Sequence, residues 1–159
     1  MTTGLRVFVW FLVAVAPLAA GASSAQASTT VPFASQASLA FGSSCPVGVF
    51  ACGTGSVAGF GKSLVITTAV SITPAPPCLS VTSDSTITLD GGTLAVRVST
   101  LRCTPGEANL LLSRGSFTIT GGTGDFAGAS GGGEAVNSIP TPSVQPFIRS
   151  QLHGWLTLP

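Results

Sequence analysis

Gly115-Ser-Phe-Thr-Ile-Thr-Gly-Gly-Thr-Gly-Asp-Phe-Ala-Gly-Ala-Ser-Gly-Gly-Gly-Glu-Ala-Val-Asn137 is the stretch on which the reading of this chain turns. It opens as an alternating strand, with Phe117 and Ile119 on one face and Ser116, Thr118 and Thr120 on the other. The alternation is expected to break at Gly121-Gly122-Thr123-Gly124, and Phe126 and Ala127 follow before glycine returns at Gly128. Glycine enters left-handed backbone without steric cost, so glycines this dense specify a tight corner. Asp125, inside the corner, has the acceptor to bind nearby backbone amides.

Strands flank the corner on both sides. Residues 28–34 read as a loose lead-in, and Ala37, Leu39 and Phe41 then share one face of a short strand. Leu64 to Thr73 is rich in β-branched residues, with Leu64, Ile66, Thr68, Val70 and Ile72 assigned to one face. Pro74, Pro76 and Pro77 end it. Thr86–Leu89, Asp90-Gly91-Gly92 and Thr93–Leu101 form a hairpin, with Leu94, Val96 and Val98 on one side. Glu134 to Ile139 is a weaker strand, Pro140, Pro142 and Pro146 mark a connection, and Ile148 to Leu158 is the last strand. In that last strand Ile148, Leu152, Leu156 and Leu158 oppose a face of Arg149, Gln151, His153, Trp155 and Thr157. Seven or eight short strands and no amphipathic helix argue an all-β sandwich or barrel. Gly53-Thr-Gly-Ser-Val-Ala-Gly59 echoes Gly122-Thr-Gly-Asp-Phe-Ala-Gly128, read here as similar turn chemistry rather than as a repeat.

The first 27 residues are read apart from the fold. Arg6, the apolar run Val7–Ala20 and Ala25-Gln26-Ala27 follow the order of a cleaved signal peptide. The apolar run contains Pro17 and is shorter than the ~20 residues that span a bilayer. Residues 28–159 are then one extracytoplasmic domain with no stable membrane span. That domain holds Lys62, Arg97, Arg102, Arg114 and Arg149 against Asp84, Asp90, Glu107, Asp125 and Glu134, a formal net charge of zero. Isolated basic residues on a neutral chain make no electrostatic footprint for nucleic acid or anionic membranes. Cys45, Cys52, Cys78 and Cys103 all lie in the exported part, where an even count argues two disulfides. The pairs Cys45–Cys52 and Cys78–Cys103 are expected, with other connectivities open. A metal site fits poorly: there is no Cys-x-x-Cys and only one histidine, His153. No cofactor is called for.

Two catalytic motifs fail on context. Gly122-x-Gly124 follows a strand, but Ala127 takes the third glycine position of a dinucleotide fingerprint and no βαβ unit surrounds it. Gly128-Ala-Ser130-Gly-Gly132 matches Gly-x-Ser-x-Gly without the strand-to-helix turn a nucleophile elbow needs. His153 and Glu134 remain as weak candidates for proton carriers; the plainer reading of His153 is a surface residue beside Trp155.

Gly121-Gly-Thr-Gly-Asp-Phe-Ala-Gly-Ala-Ser-Gly131, entered from Phe117-Thr-Ile-Thr120, resembles the Gly-Gly-Thr-Gly-x-Phe corner of allene oxide cyclase and dirigent-type β-barrels. It is closer still to small exported bacterial proteins with a Gly-Thr-Gly-x-Phe-Ala-Gly-Ala segment. The resemblance implies a compact, mostly antiparallel barrel of about eight strands with a structural corner at Gly121, Gly122, Thr123, Gly124, Asp125, Phe126 and Gly128. It transfers no catalytic residue, and the chain has no tyrosine to match those of some family pockets. The expected function is a non-enzymatic exported barrel that binds a small apolar ligand or a protein partner. A cofactor-independent isomerase or cyclase, and a structural envelope or matrix protein, are the alternatives.

Overall fold

A computed structural model describes residues 27–103, 110–140 and 147–159. The proposed signal peptide, save its last residue, lies outside the described residues, as do Pro142 and Pro146. The described chain forms eight strands: β1 (Thr29–Phe41), β2 (Ala51–Val57), β3 (Gly61–Ala75), β4 (Cys78–Leu89), β5 (Gly92–Cys103), β6 (Leu110–Gly124), β7 (Ser130–Pro140) and β8 (Phe147–Leu158). Each pairs antiparallel with its sequence neighbours, and β1 pairs with β8, closing an up-and-down barrel. The alternation and turn chemistry leave a sandwich or a barrel open; the structure is the all-β antiparallel barrel of eight strands that the family resemblance implies. Closure removes both sheet edges, which a sandwich would leave exposed.

Four sequence readings are corrected. Residues 29–34 belong to β1 and pair with β8; Pro32 is tolerated because this part of β1 is not yet paired with β2, whose register begins at Ser35. Strand β6 does not break at Gly121 but runs to Gly124, bent by a register shift at Thr120, whose hydroxyl donates to the Ala95 carbonyl at 3.3 Å. Strand β7 begins at Ser130, because Gly131, Gly132 and Gly133 pair in register with both neighbours. In β3 a shift at Thr68 splits the face assignment: Val65 and Thr67 are buried before it, Leu64 is exposed, and Val70 and Ile72 turn inward after it. One extra residue reverses the parity of everything beyond it.

One end of the barrel is packed solid. Phe33, Leu94, Phe117, Phe126 and Leu156 are buried there with Val57 and Leu89. Phe33, Gly154, Gly133 and Phe117 occupy one register row across β1, β8, β7 and β6. Two glycines between two phenylalanines let the rings meet over bare backbone, centroids 5.5 Å apart. A side chain at Gly133 or Gly154 would run into the backbone of the neighbouring strand.

The glycine corner caps this end. Gly124 has φ +61° and an added Cβ would meet the Gly91 carbonyl, so both the backbone region and the space require glycine. The Asp125 amide donates to that same carbonyl at 3.0 Å, tying the corner to the β4–β5 turn. Phe126 then plugs the barrel and packs edge-on against Phe60 at 5.5 Å. The echo at residues 53–59 becomes a shared turn geometry. Phe60 N–H bonds the Val57 carbonyl and Ala129 N–H bonds the Phe126 carbonyl, each at 3.0 Å, with Gly59 and Gly128 at φ +80° and +78°.

Candidate functional site

Toward the opposite end the inward positions of β4 and β5 change from large aliphatic residues to shorter and more polar ones, until Arg102 at the rim. On β4 the series runs Leu89, Ile87, Ser85, Ser83, Val81; on β5 it runs Leu94, Val96, Val98, Thr100, Arg102. Short side chains cannot fill the axis of an eight-stranded barrel, and a cavity of about 230 Å³ results. Along β1 its lining starts at Ser35, two residues past Phe33, and along β8 it reaches Leu152 but not Gly154, so the cavity lies on the mouth side of the Phe33–Phe117 pair. Leu39, Val65, Ile87, Val96 and Val98 form its deeper apolar wall, and Phe41, Phe50, Ile72, Ile139 and Ile148 its outer one.

Polar groups in the wall fall into two sets. On one side the Thr67 and Ser85 hydroxyls bond each other at 2.9 Å. On the other, Ser113, Asn137 and Ser150 stand directly opposite one another on β6, β7 and β8. Arg102 joins that row from β5, its Nε–H donating to Ser113 Oγ at 3.3 Å. Thr100, one inward position deeper than Arg102 on the same strand, is buried and its hydroxyl donates to the Val81 carbonyl at 3.5 Å.

Two disulfides brace the mouth. Cys78 and Cys103 are direct cross-strand partners where β4 and β5 end, one residue from Arg102. Cys45–Cys52 closes the loop from β1 to β2. That loop carries Phe50, whose amide donates to the Thr67 carbonyl at 2.8 Å and whose ring meets Phe41 edge-on at 5.6 Å. Phe50 is thereby held as part of the cavity wall.

Glu134 and His153 are register partners on β7 and β8, but both are exposed on the outer wall beside Trp155, and neither lines the cavity. The corner residues Gly121, Gly122, Thr123, Gly124, Asp125, Phe126 and Gly128 sit at the packed end, away from it. Among the described residues no cluster of three or more His, Cys, Asp or Glu side chains could hold a metal ion. The outer wall carries Gln36, Ser38, Thr54, Ser56, Arg149 and Gln151 around one shallow polar depression, and Asp84 is ion-paired with Arg97 elsewhere. No helix among the described residues is long and apolar enough to cross a membrane.

Neither protein-family models nor curated protein sequences match this chain. Among solved structures, that of the pterocarpan synthase dirigent protein GePTS1 aligns over 93% of this chain and 98% of its own length, at 16% identity and a TM-score of 0.38. A likeness of that strength says nothing about ligand or reaction, and the barrel assignment stands on the strand pairing itself.

Sequence reading alone missed Arg102 and the row beside it. One signal was available: the alternation Leu94, Val96, Val98 extends to Thr100 and Arg102, which places a guanidinium on the apolar face. Ser113, Asn137 and Ser150 had no such signal, because three hydroxyl or amide residues become a row only through the register of three separate strands.

Proposed function

We propose that this chain is an exported binding protein that holds a small, mostly apolar molecule in the barrel cavity and performs no chemistry on it. The cavity carries this reading: about 230 Å³, walled by aliphatic and aromatic side chains with a few polar groups. A dry apolar cavity of about 150 Å³ holds benzene, so this one suits a single ring with a short substituent. The two titratable candidates for proton transfer, Glu134 and His153, face solvent on the outer wall. Export is supported by the order of charge, apolar run and Ala-x-Ala in residues 1–27, and by two disulfides of the kind that persist in oxidising compartments. Secreted material is expected to begin at Ser28.

The test is a toluene titration of the exported protein, followed by NMR of the Leu, Ile and Val methyl groups. Shifts confined to cavity methyls such as Leu39, Val96 and Ile148, abolished by Ser83→Phe, are the expected result. An unperturbed interior at saturating toluene, or binding undiminished in the filled variant, overturns the reading.

A further inference from the structure

We propose that the molecule held in the cavity is a small amphipathic acid, its carboxylate on the polar row at the mouth and its apolar body inside. The inference rests on the cavity-binding reading above and assigns the ligand's chemical class. Four observations lead to it.

First, Arg102 occupies an inward position on a strand whose other inward residues are Leu94, Val96, Val98 and Thr100. It is half-buried, so part of its hydration has been given up. An anion arriving there restores the hydration that the guanidinium head lost at the rim of the chamber.

Second, the cation does not stand alone. Arg102, Ser113, Asn137 and Ser150 form one continuous row over β5, β6, β7 and β8. That row supplies a planar fork of N–H donors, two hydroxyls and an amide, a donor set suited to both oxygens of a carboxylate. Arg102 spends its Nε–H on Ser113, and its terminal nitrogens carry the other donors of the fork.

Third, the row is held rigidly. The Cys78–Cys103 bridge fixes the ends of β4 and β5 one residue from Arg102. A pre-positioned guanidinium loses less side-chain freedom on binding than one on a free loop.

Fourth, the remaining wall is apolar, and the cavity is too small for a long acyl chain lying inside it. The fit is to a ring or short branched body about as long as the distance from the mouth to the Phe33–Phe117 floor.

The experiment compares 4-phenylbutyrate with 4-phenylbutanol, an acid and a neutral alcohol of nearly one shape, by calorimetric titration at pH 7 into the disulfide-bonded protein. The wild type is expected to favour the acid by about tenfold or more, the scale of a charge-assisted hydrogen bond in a partly desolvated site. Arg102→Gln is expected to abolish the acid's advantage, bringing the affinities for acid and alcohol together. Arg149→Gln, on the outer wall, is expected to leave both unchanged, and Ser83→Phe to weaken both. Equal affinity of the wild type for acid and alcohol, or an acid preference that survives Arg102→Gln, overturns the inference and leaves the cavity reading standing. Failure of both compounds to bind removes the cavity reading and this inference together.

Discussion

The two ends of the barrel use the same eight strands to opposite effect. At the glycine-corner end the inward residues are mostly large and apolar, Phe33, Leu94, Phe117, Phe126 and Leu156 among them, the connections are short, and the Ser63 hydroxyl is buried with no hydrogen-bond partner among the described residues. At the mouth serines, threonines, one asparagine and one arginine stand among aliphatic and aromatic inward residues, and disulfides brace the ends of β2, β4 and β5. What differs is side-chain volume per inward position. An eight-stranded barrel is just narrow enough to be filled by large residues, and where they are replaced by small ones the space stays open. Stability is therefore concentrated at one end and open space at the other. Substitutions at the corner are expected to lower stability sharply, and substitutions at the mouth to change binding first.

The sharpest test of this division is Gly124→Val. A β-branched residue at φ +61° is strained, and its Cβ would press on the Gly91 carbonyl that also receives the Asp125 amide. The expected loss is on the order of 5 kcal/mol, comparable to the whole stability of a marginal domain. Denaturant melts of Gly124→Val measure it directly, and a wild-type midpoint would show that the corner is not what closes this end. Phe126→Ala comes next. The ring is buried against Phe60, and its removal leaves a cavity at the packed end, at a cost of about 4 kcal/mol. The discriminating measurement is the mouth: in protein still folded at low temperature, Phe126→Ala should leave the Arg102 end, and ligand binding there, intact.

The bridges probe the other end and differ from each other. Cys78–Cys103 closes a sequence separation of 25 and Cys45–Cys52 one of 7. In the chain-entropy account these stabilise by about 3.5 and about 2.4 kcal/mol at 25 °C. Paired Cys→Ser variants should reproduce that order in thermal melts. The Cys78→Ser, Cys103→Ser variant should in addition weaken acid binding more than alcohol binding, because it loosens the strand ends that hold Arg102. Removing Cys45–Cys52 should weaken both equally, since that loop carries only the Phe50 wall. The reverse pattern would detach Arg102 from the braced hairpin.

The faces of strands carrying large apolar residues were the legible part. Phe117 and Ile119, Leu94 to Val98, and Ile148 to Leu158 all keep in the barrel the faces their alternation predicts, because large apolar residues announce which side is inside. The mouth was hidden by the same logic. Ser83, Ser85, Ser113 and Ser150 look alike whether they face a cavity or solvent, and in β3 the extra residue at Thr68 moves Val70 and Ile72 to the face opposite that of Leu64. Bulges and cross-strand rows are non-local: they follow from register between segments far apart in sequence, which no single strand's pattern contains. Glu134 and His153 illustrate the complementary case. Each was visible as a chemically capable residue, and the register does bring them side by side, but on the outer wall.

The smallest expected effect lies on the outer wall between the two ends, where it can serve as a baseline. Arg97 on β5 and Asp84 on β4 are direct cross-strand partners, with Nε and one terminal nitrogen donating to the two carboxylate oxygens at 2.7 and 3.0 Å. The geometry is bidentate, yet both groups are well exposed, so water competes for every contact and salt screens the pair. The Arg97 hydrogen bonds hold the Asp84 carboxyl below its ordinary value; slight desolvation opposes this and the Arg97 charge adds to it. A carboxyl whose folded value is depressed contributes stability that is fully present above the unfolded value, about 3.9, and is lost as the pH falls through the lower folded value. Asp84→Asn should therefore lower the melting temperature slightly at pH 7 and low salt, less at high salt, and not at all once acid has protonated the wild-type carboxyl. Paired melts at neutral and strongly acidic pH check the sign. A difference that stays constant across that range would mean the asparagine acts through the strand pairing itself, and that the ion pair contributes nothing to the wall that joins the packed end to the mouth.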